Sequence, residues 1–187
     1  MPNLKNFFQF WWEILKIVIL ALVIVIPIRY FLFQPFLVKG QSMEPNFHDD
    51  DYLIIDEISY RLREPKRGEV IVFRYPKNPS QRFIKRIIGL PGETVEIKDG
   101  QVIIIKDGQS QILDESNYLS PSLKTWGNLE ITLNQNEYFV LGDNRSVSAD
   151  SRSWGPLSKN YITGRVVFRA WPIKALAFFE EPKYQSP

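Results

Sequence analysis

The sequence predicts a mainly β protein: an antiparallel β-sheet or barrel with a small β insert, preceded by one N-terminal membrane-crossing helix. Two observations predict it. From Phe36 onward the chain is a succession of short apolar segments, about ten residues apart and separated by turn residues. Before Arg29 it carries an apolar run with no such punctuation. With 187 residues and 44% hydrophobic content, one domain with a modest insert can bury a core.

Residues 1–6 read as a tail and 7–28 as the membrane span. Ile17 to Ile28 holds no charge, and with the segment back to Phe7 the stretch reaches the length of about 20 residues that a bilayer requires. Glu13 and Lys16 are spaced to pair or to snorkel near the interface. Trp11 and Trp12 fit an aromatic belt at one boundary, and Arg29 and Tyr30 mark the other. No small residues follow Ile28, against a cleaved leader, and residues 17–28 have no polar face, against a buried amphipathic helix. Phe31, Leu32, Phe33, Pro35 and Phe36 then read as an interfacial segment.

The expected strands are Tyr52–Ile55, Glu69–Tyr75, Arg82–Ile88, Thr94–Ile97, Gln101–Ile105, Glu137–Leu141 and Gly164–Ala170. Asp99-Gly100 and Asp107-Gly108 are hairpin signals, the first between two apolar runs. Residues 106–136 are more polar and read as an irregular excursion. In the strand holding Lys85, alternation puts Phe83, Lys85 and Ile87 on one face and Ile84, Arg86 and Ile88 on the other.

Composition narrows the chemistry. A net charge of +2, with no basic run, gives no case for a nucleic-acid partner. With 1 histidine and no cysteine, cysteine proteases are excluded and zinc sites built on several His or Cys are implausible. No metal and no cofactor is expected. His48 lies only six residues from Ser42, too local for a comfortable base. A serine with a lysine base remains. Free lysine titrates near ~10.4, so half-neutrality at pH ~7 requires roughly 4.6 kcal/mol, from burial and a nearby cation such as Arg86 or Arg145. Taken singly, Lys85 reads as a snorkelling strand lysine and Ser42 as a turn serine. Asp143, Arg145, Asp150 and Arg152 taken alone read as a surface ion-pair cluster.

Together the segments resemble a known family. Gly40-Gln41-Ser42-Met43-Glu44-Pro45, Arg67 to Phe73, Phe83 to Glu93, and Gly142 to Arg152 are similar, in order, to the four signature boxes of bacterial type I signal peptidases, serine–lysine proteases. The compact length is closer to the Gram-positive or cyanobacterial single-span form. The resemblance implies Ser42 as nucleophile, Lys85 as general base, and Ser148 as the hydroxyl that orients the lysine amine. It also implies Arg86, Asp143, Arg145, Asp150 and Arg152 as supporting charged residues, and the Ser42 N–H as oxyanion donor. Some members carry a further donor serine where this chain has Gly40. The substrates implied are signal peptides of secretory preproteins, cut after a small-x-small motif such as Ala-x-Ala. Met43, Phe83 and Ile84 are candidates for the pocket walls. The family fold implies a β core at 29–92 and 139–187 and an insert at 93–138. It implies contact with membrane lipid and a catalytic part on the extracytoplasmic side, or the thylakoid lumen side in a photosynthetic organism. Two rivals remain beside it: a self-cleaving repressor, which calls for a DNA-binding domain, and a membrane-anchored β module without catalysis.

Overall fold

The structure, a computed structural model, describes residues 4–31, 33–180 and 184, with side chains described except at 4–6, 8, 24–31 and 33. Leu32 and the first three residues of the expected tail lie outside the described residues.

Helix α1 (Leu4–Phe31) opens the chain. Its described side chains face outward on every side: Trp11, Trp12, Ile17, Leu20 and Val23 are each more than half exposed. Lys16 meets Glu13 at 2.7 Å across one turn. Among the described residues no helix is long and apolar enough to cross a membrane. The uncharged run from Ile17 continues to Ile28, and its side chains from 24 onward lie outside the described residues.

The main sheet holds β1 (Phe33–Leu37), β2 (Tyr52–Asp56), β3 (Val70–Tyr75), β4 (Asn78–Gly89), β9 (Glu137–Leu141), β10 (Leu157–Ser158), β11 (Ile162–Trp171) and β12 (Ala177–Phe178). Its order is β1-β2-β11-β3-β4-β9-β10, with β12 pairing β11. The segment expected in the membrane interface is β1, paired antiparallel with β2 from Phe33↔Asp56 to Leu37↔Tyr52. Aromatic and alternating side chains suit a strand edge as well as an interface. β4 starts earlier than expected, because Pro76 and Lys77 close a tight hairpin that pairs Tyr75 with Asn78.

A second sheet of β5 (Thr94–Lys98), β6 (Gln101–Lys106), β7 (Gln109–Ile112) and β8 (Leu129–Thr132) runs in the order β7-β6-β5-β8. Both Asp-Gly doublets are two-residue turns with positive φ at each residue: 53° and 81° at Asp99 and Gly100, 50° and 79° at Asp107 and Gly108. That geometry matches the right-handed twist of the flanking strands. β7 and β8 lie inside the stretch expected to be irregular; their residues are exposed or half-buried and too polar to announce strands.

Alternation decides what each strand buries. On one side of the main sheet Val70, Val72 and Ile84 join Val38, Met43, Phe47, Leu53 and Ile55. On the other, Ile71, Phe73 and Ile87 pack with Tyr138, Val140 and Leu157. A third cluster ties Ile88, Phe139 and Leu141 to Val95, Ile97 and Val102 of the second sheet. The sites of Ser42, Lys85 and the segment after β9 are carried on this rigid floor.

Candidate active site

Three segments meet. Ser42 sits in a turn after β1, Lys85 within β4, and residues 142–150 follow β9, which pairs with β4 at Arg86↔Leu141. The serine turn is fixed from beneath: Asn46 N and Phe47 N both donate to the Met43 carbonyl, and Met43 and Phe47 are fully buried in the core. From the side, Asn144 N donates to Ser42 O at 3.1 Å. Gly142 allows the approach, since a Cβ there would collide with Ser148 Oγ and the Ser42 carbonyl oxygen.

Lys85 is 3% exposed. Its Nζ donates to Ser42 Oγ at 2.6 Å and to Ile84 O at 2.8 Å, and lies 5.5 Å from the centre of the Phe83 ring. Burial pushes its pKa down to about 8, while Asp150 and Asp143 pull the other way. The cation expected to assist is not among the causes. Arg86 points to the opposite face of β4 and is tied up by Asp143, so desolvation alone depresses the lysine.

The charged residues form a buried frame. Arg86 grips Asp143 with two bonds of 2.8 and 2.6 Å and donates to Gly68 O at 2.9 Å. Arg152 holds Asp150 at 2.8 Å through both Nε and Nη2 and also donates to Arg145 O at 2.7 Å. Asp150 accepts from Gly142 N at 3.1 Å. Arg145 donates to Gly142 O at 3.0 Å and pairs with Glu115 while bonding Thr125. The bland reading of a surface ion-pair cluster is therefore corrected: Asp143, Arg145 and Asp150 are all buried.

Two expectations about side chains differ from the structure. Ser148 Oγ is buried beside Ser42 and Gly142 but has no hydrogen-bond partner among the described residues; the bond to Lys85 is absent, because the amine is directed at Ser42 and Ile84. Met43 is 0% exposed in the core rather than on a pocket wall, since the turn that exposes Ser42 directs its neighbour inward. Phe83 and Ile84 do line a groove of about 410 Å³, with Ser42, Lys85, Phe36, Leu37 and Val147. His48 is exposed and not part of it.

Sequence reasoning missed Asn46, Glu115, Tyr118 and Thr125. Asn46 Nδ2 donates to Asp143 Oδ2 at 2.8 Å and to Tyr118 O at 2.7 Å. The Tyr118 ring covers the Arg86 guanidinium at 4.0 Å. No local pattern marks these residues, because each acts through a partner 20 or more positions away. Among the described residues no cluster of His, Cys, Asp and Glu is arranged to hold a metal ion.

The sequence has counterparts among known proteins. A family profile described as signal peptidase, peptidase S26, matches residues 11–171. A probable signal peptidase I-2 of Synechocystis sp. is 39% identical over 87% of this chain and 74% of its own length. The signal peptidase I of Leptolyngbya laminosa is 38% identical over 91% of this chain and 84% of its own. That of Bacillus licheniformis is 34% identical over 93% and 94%. Matched across most of its length and theirs, the chain belongs to the signal peptidase family, peptidase S26.

Proposed function

We propose that Ser42 is the nucleophile and Lys85 the general base with which this signal peptidase I removes signal peptides from preproteins. The observation that carries the assignment is the 2.6 Å contact between Lys85 Nζ and Ser42 Oγ at the edge of a groove. With a pKa of about 8, about a tenth of the lysine is neutral at pH 7, enough to serve as a base without a large added barrier. The neutral amine accepts the Ser42 hydroxyl proton as Oγ attacks the scissile carbonyl. It then returns the proton to the leaving amine. An acyl-enzyme on Ser42 is hydrolysed by water activated by the same lysine.

The Ser42 N–H donates to no other group among the described residues, and the Asn144 bond fixes the adjoining peptide plane, so this N–H is available to the oxyanion. Gly40 supplies no side chain to assist it. Ser148 is the orienting hydroxyl that engages the lysine once its amine leaves the serine during turnover. Arg86, Asp143, Arg145, Asp150 and Arg152 hold the segments rather than carry protons. The groove walls beside the nucleophile include the apolar side chains of Phe36, Leu37, Phe83, Ile84, Val147 and Ala149. They favour small side chains near the scissile bond, in keeping with a small-x-small motif.

We also read residues 7–28 as a membrane anchor after a short tail, 29–92 and 139–187 as the catalytic core, and 93–138 as the insert, with the core on the extracytoplasmic or lumenal side. The support is a helix of 28 residues, about 42 Å long, whose described apolar side chains find no protein to cover them. The full chain reconstituted in vesicles should process a preprotein at its signal-peptide junction, and Ser42→Ala should not. Residual cleavage by Ser42→Ala above a few per cent would end the assignment of the nucleophile.

A further inference from the structure

The arginines that build the site are matched to acids: Arg86 to Asp143, Arg145 to Glu115, Arg152 to Asp150, and elsewhere Arg63 to Glu69 and Arg169 to Asp51. The β3–β4 hairpin breaks this pattern. Arg74 and Arg82 lie directly opposite each other in the ladder, and both are exposed. Like charges in that position repel. Among the described residues Arg74 donates only to the Asn160 carbonyl at 3.1 Å and Arg82 only to the Gln34 amide oxygen at 3.2 Å, both neutral. Lys77 is exposed at the turn between them, and no Asp or Glu occurs from residue 70 to residue 92. These three cations are exposed, and among the described residues no acid pairs with them. The Arg82–Gln34 bond fastens the hairpin to β1, which follows the C-terminal end of α1.

We propose that this hairpin docks on anionic lipid headgroups, with Arg74, Lys77 and Arg82 as the contacts. The inference rests on the reading of α1 as a membrane anchor. Because β1 begins two residues after α1 ends, the exposed end of β4 lies where the bilayer surface would be. Headgroup phosphates relieve the Arg74–Arg82 repulsion and supply the charge-assisted acceptors that the protein does not. Arg82 also lines the substrate groove, so docking turns one end of the groove toward the surface from which a signal peptide emerges.

The chain has no cysteine, so Ser80→Cys on the exposed part of β4 gives a single attachment point for a polarity-sensitive fluorophore. The full chain is reconstituted with phosphatidylcholine alone or with phosphatidylcholine and phosphatidylglycerol, and its flotation with each is recorded. The expected result is a blue-shifted emission only with phosphatidylglycerol, reversed near 1 M salt, where the screening length is about 3 Å. Arg74→Gln with Lys77→Gln should lower the docked-to-free ratio about 25-fold, about fivefold per cation, with a melting temperature no lower than the parent's, since the Arg74–Arg82 repulsion is removed. Equal emission in both vesicle types, from a chain that floats with both, would overturn the hairpin inference and leave the anchor standing. A chain that fails to float overturns the anchor reading and this inference with it. A blue shift elicited in phosphatidylcholine by an acidic preprotein assigns the cations to substrate and overturns the lipid assignment.

Discussion

At the scale of single residues, the site places a lysine where an ammonium is unwelcome. Its folded-state pKa, about 8, lies below the ordinary value of 10.5. The unfolded chain therefore holds the proton more tightly, and Lys85 lowers stability below pH 8. That loss is relieved as pH rises from about 8 toward 10.5. Lys85→Met, similar in volume and uncharged, is expected to be inactive yet more stable than the parent by about 1–3 kcal/mol at pH 7. The advantage should shrink above pH 8; thermal melts across this range check both statements. Ser148 gives a second separation of stability from activity. Its hydroxyl is buried without a partner, so Ser148→Ala should leave the melting temperature unchanged or raised. Turnover should nonetheless fall roughly 10- to 100-fold if Ser148 makes the lysine-orienting bond proposed for turnover, which kcat for a soluble peptide would show.

At the scale of elements, β4 and its neighbours β3 and β9 were legible in the sequence, and the side chains that brace them from the insert were not. Period-two alternation separates Phe83 and Ile87 from Ile84 and Ile88, and the structure sends Ile87 and Ile84 to different cores for that reason. The Asp-Gly doublets were equally readable, because positive φ at two successive residues demands a particular chemistry. Met43 was misread because adjacency to Ser42 suggested the groove, whereas a turn alternates its neighbours between outside and core. Glu115 and Tyr118 were invisible because they sit in the loop between β7 and β8 and their partners Arg145 and Arg86 lie 30 or more positions away. Closest approach between elements is equally a property of the folded chain. Gly142 sits where the segment after β9 touches the Ser42 turn. Gly142→Ala should push these apart and lower kcat/KM by at least about 100-fold, as expected for an ångström-scale misplacement of a reacting group. A fold intact by circular dichroism would locate the loss in the site, and near-normal turnover would show that the contact is slack.

At the scale of the whole molecule, an antiparallel floor brings together three segments far apart in sequence, and the loop joining β7 to β8 braces them through Arg145 and Arg86. The helix lies outside this frame, and as the proposed anchor it would bear on where the enzyme works rather than on how it cuts. Its outward apolar side chains were plain in the sequence, because an uncharged run needs no tertiary partner to be recognised. The central claim is that a buried lysine, not the histidine, takes the serine proton, and the pH dependence of kcat/KM for a short soluble peptide tests it most directly. A base must be neutral to act, so kcat/KM should rise about tenfold per pH unit below the lysine's pKa and level off above about 8. The same limb is expected in His48→Ala. A limb near 6.5 that disappears in His48→Ala would contradict the account and make the histidine the base.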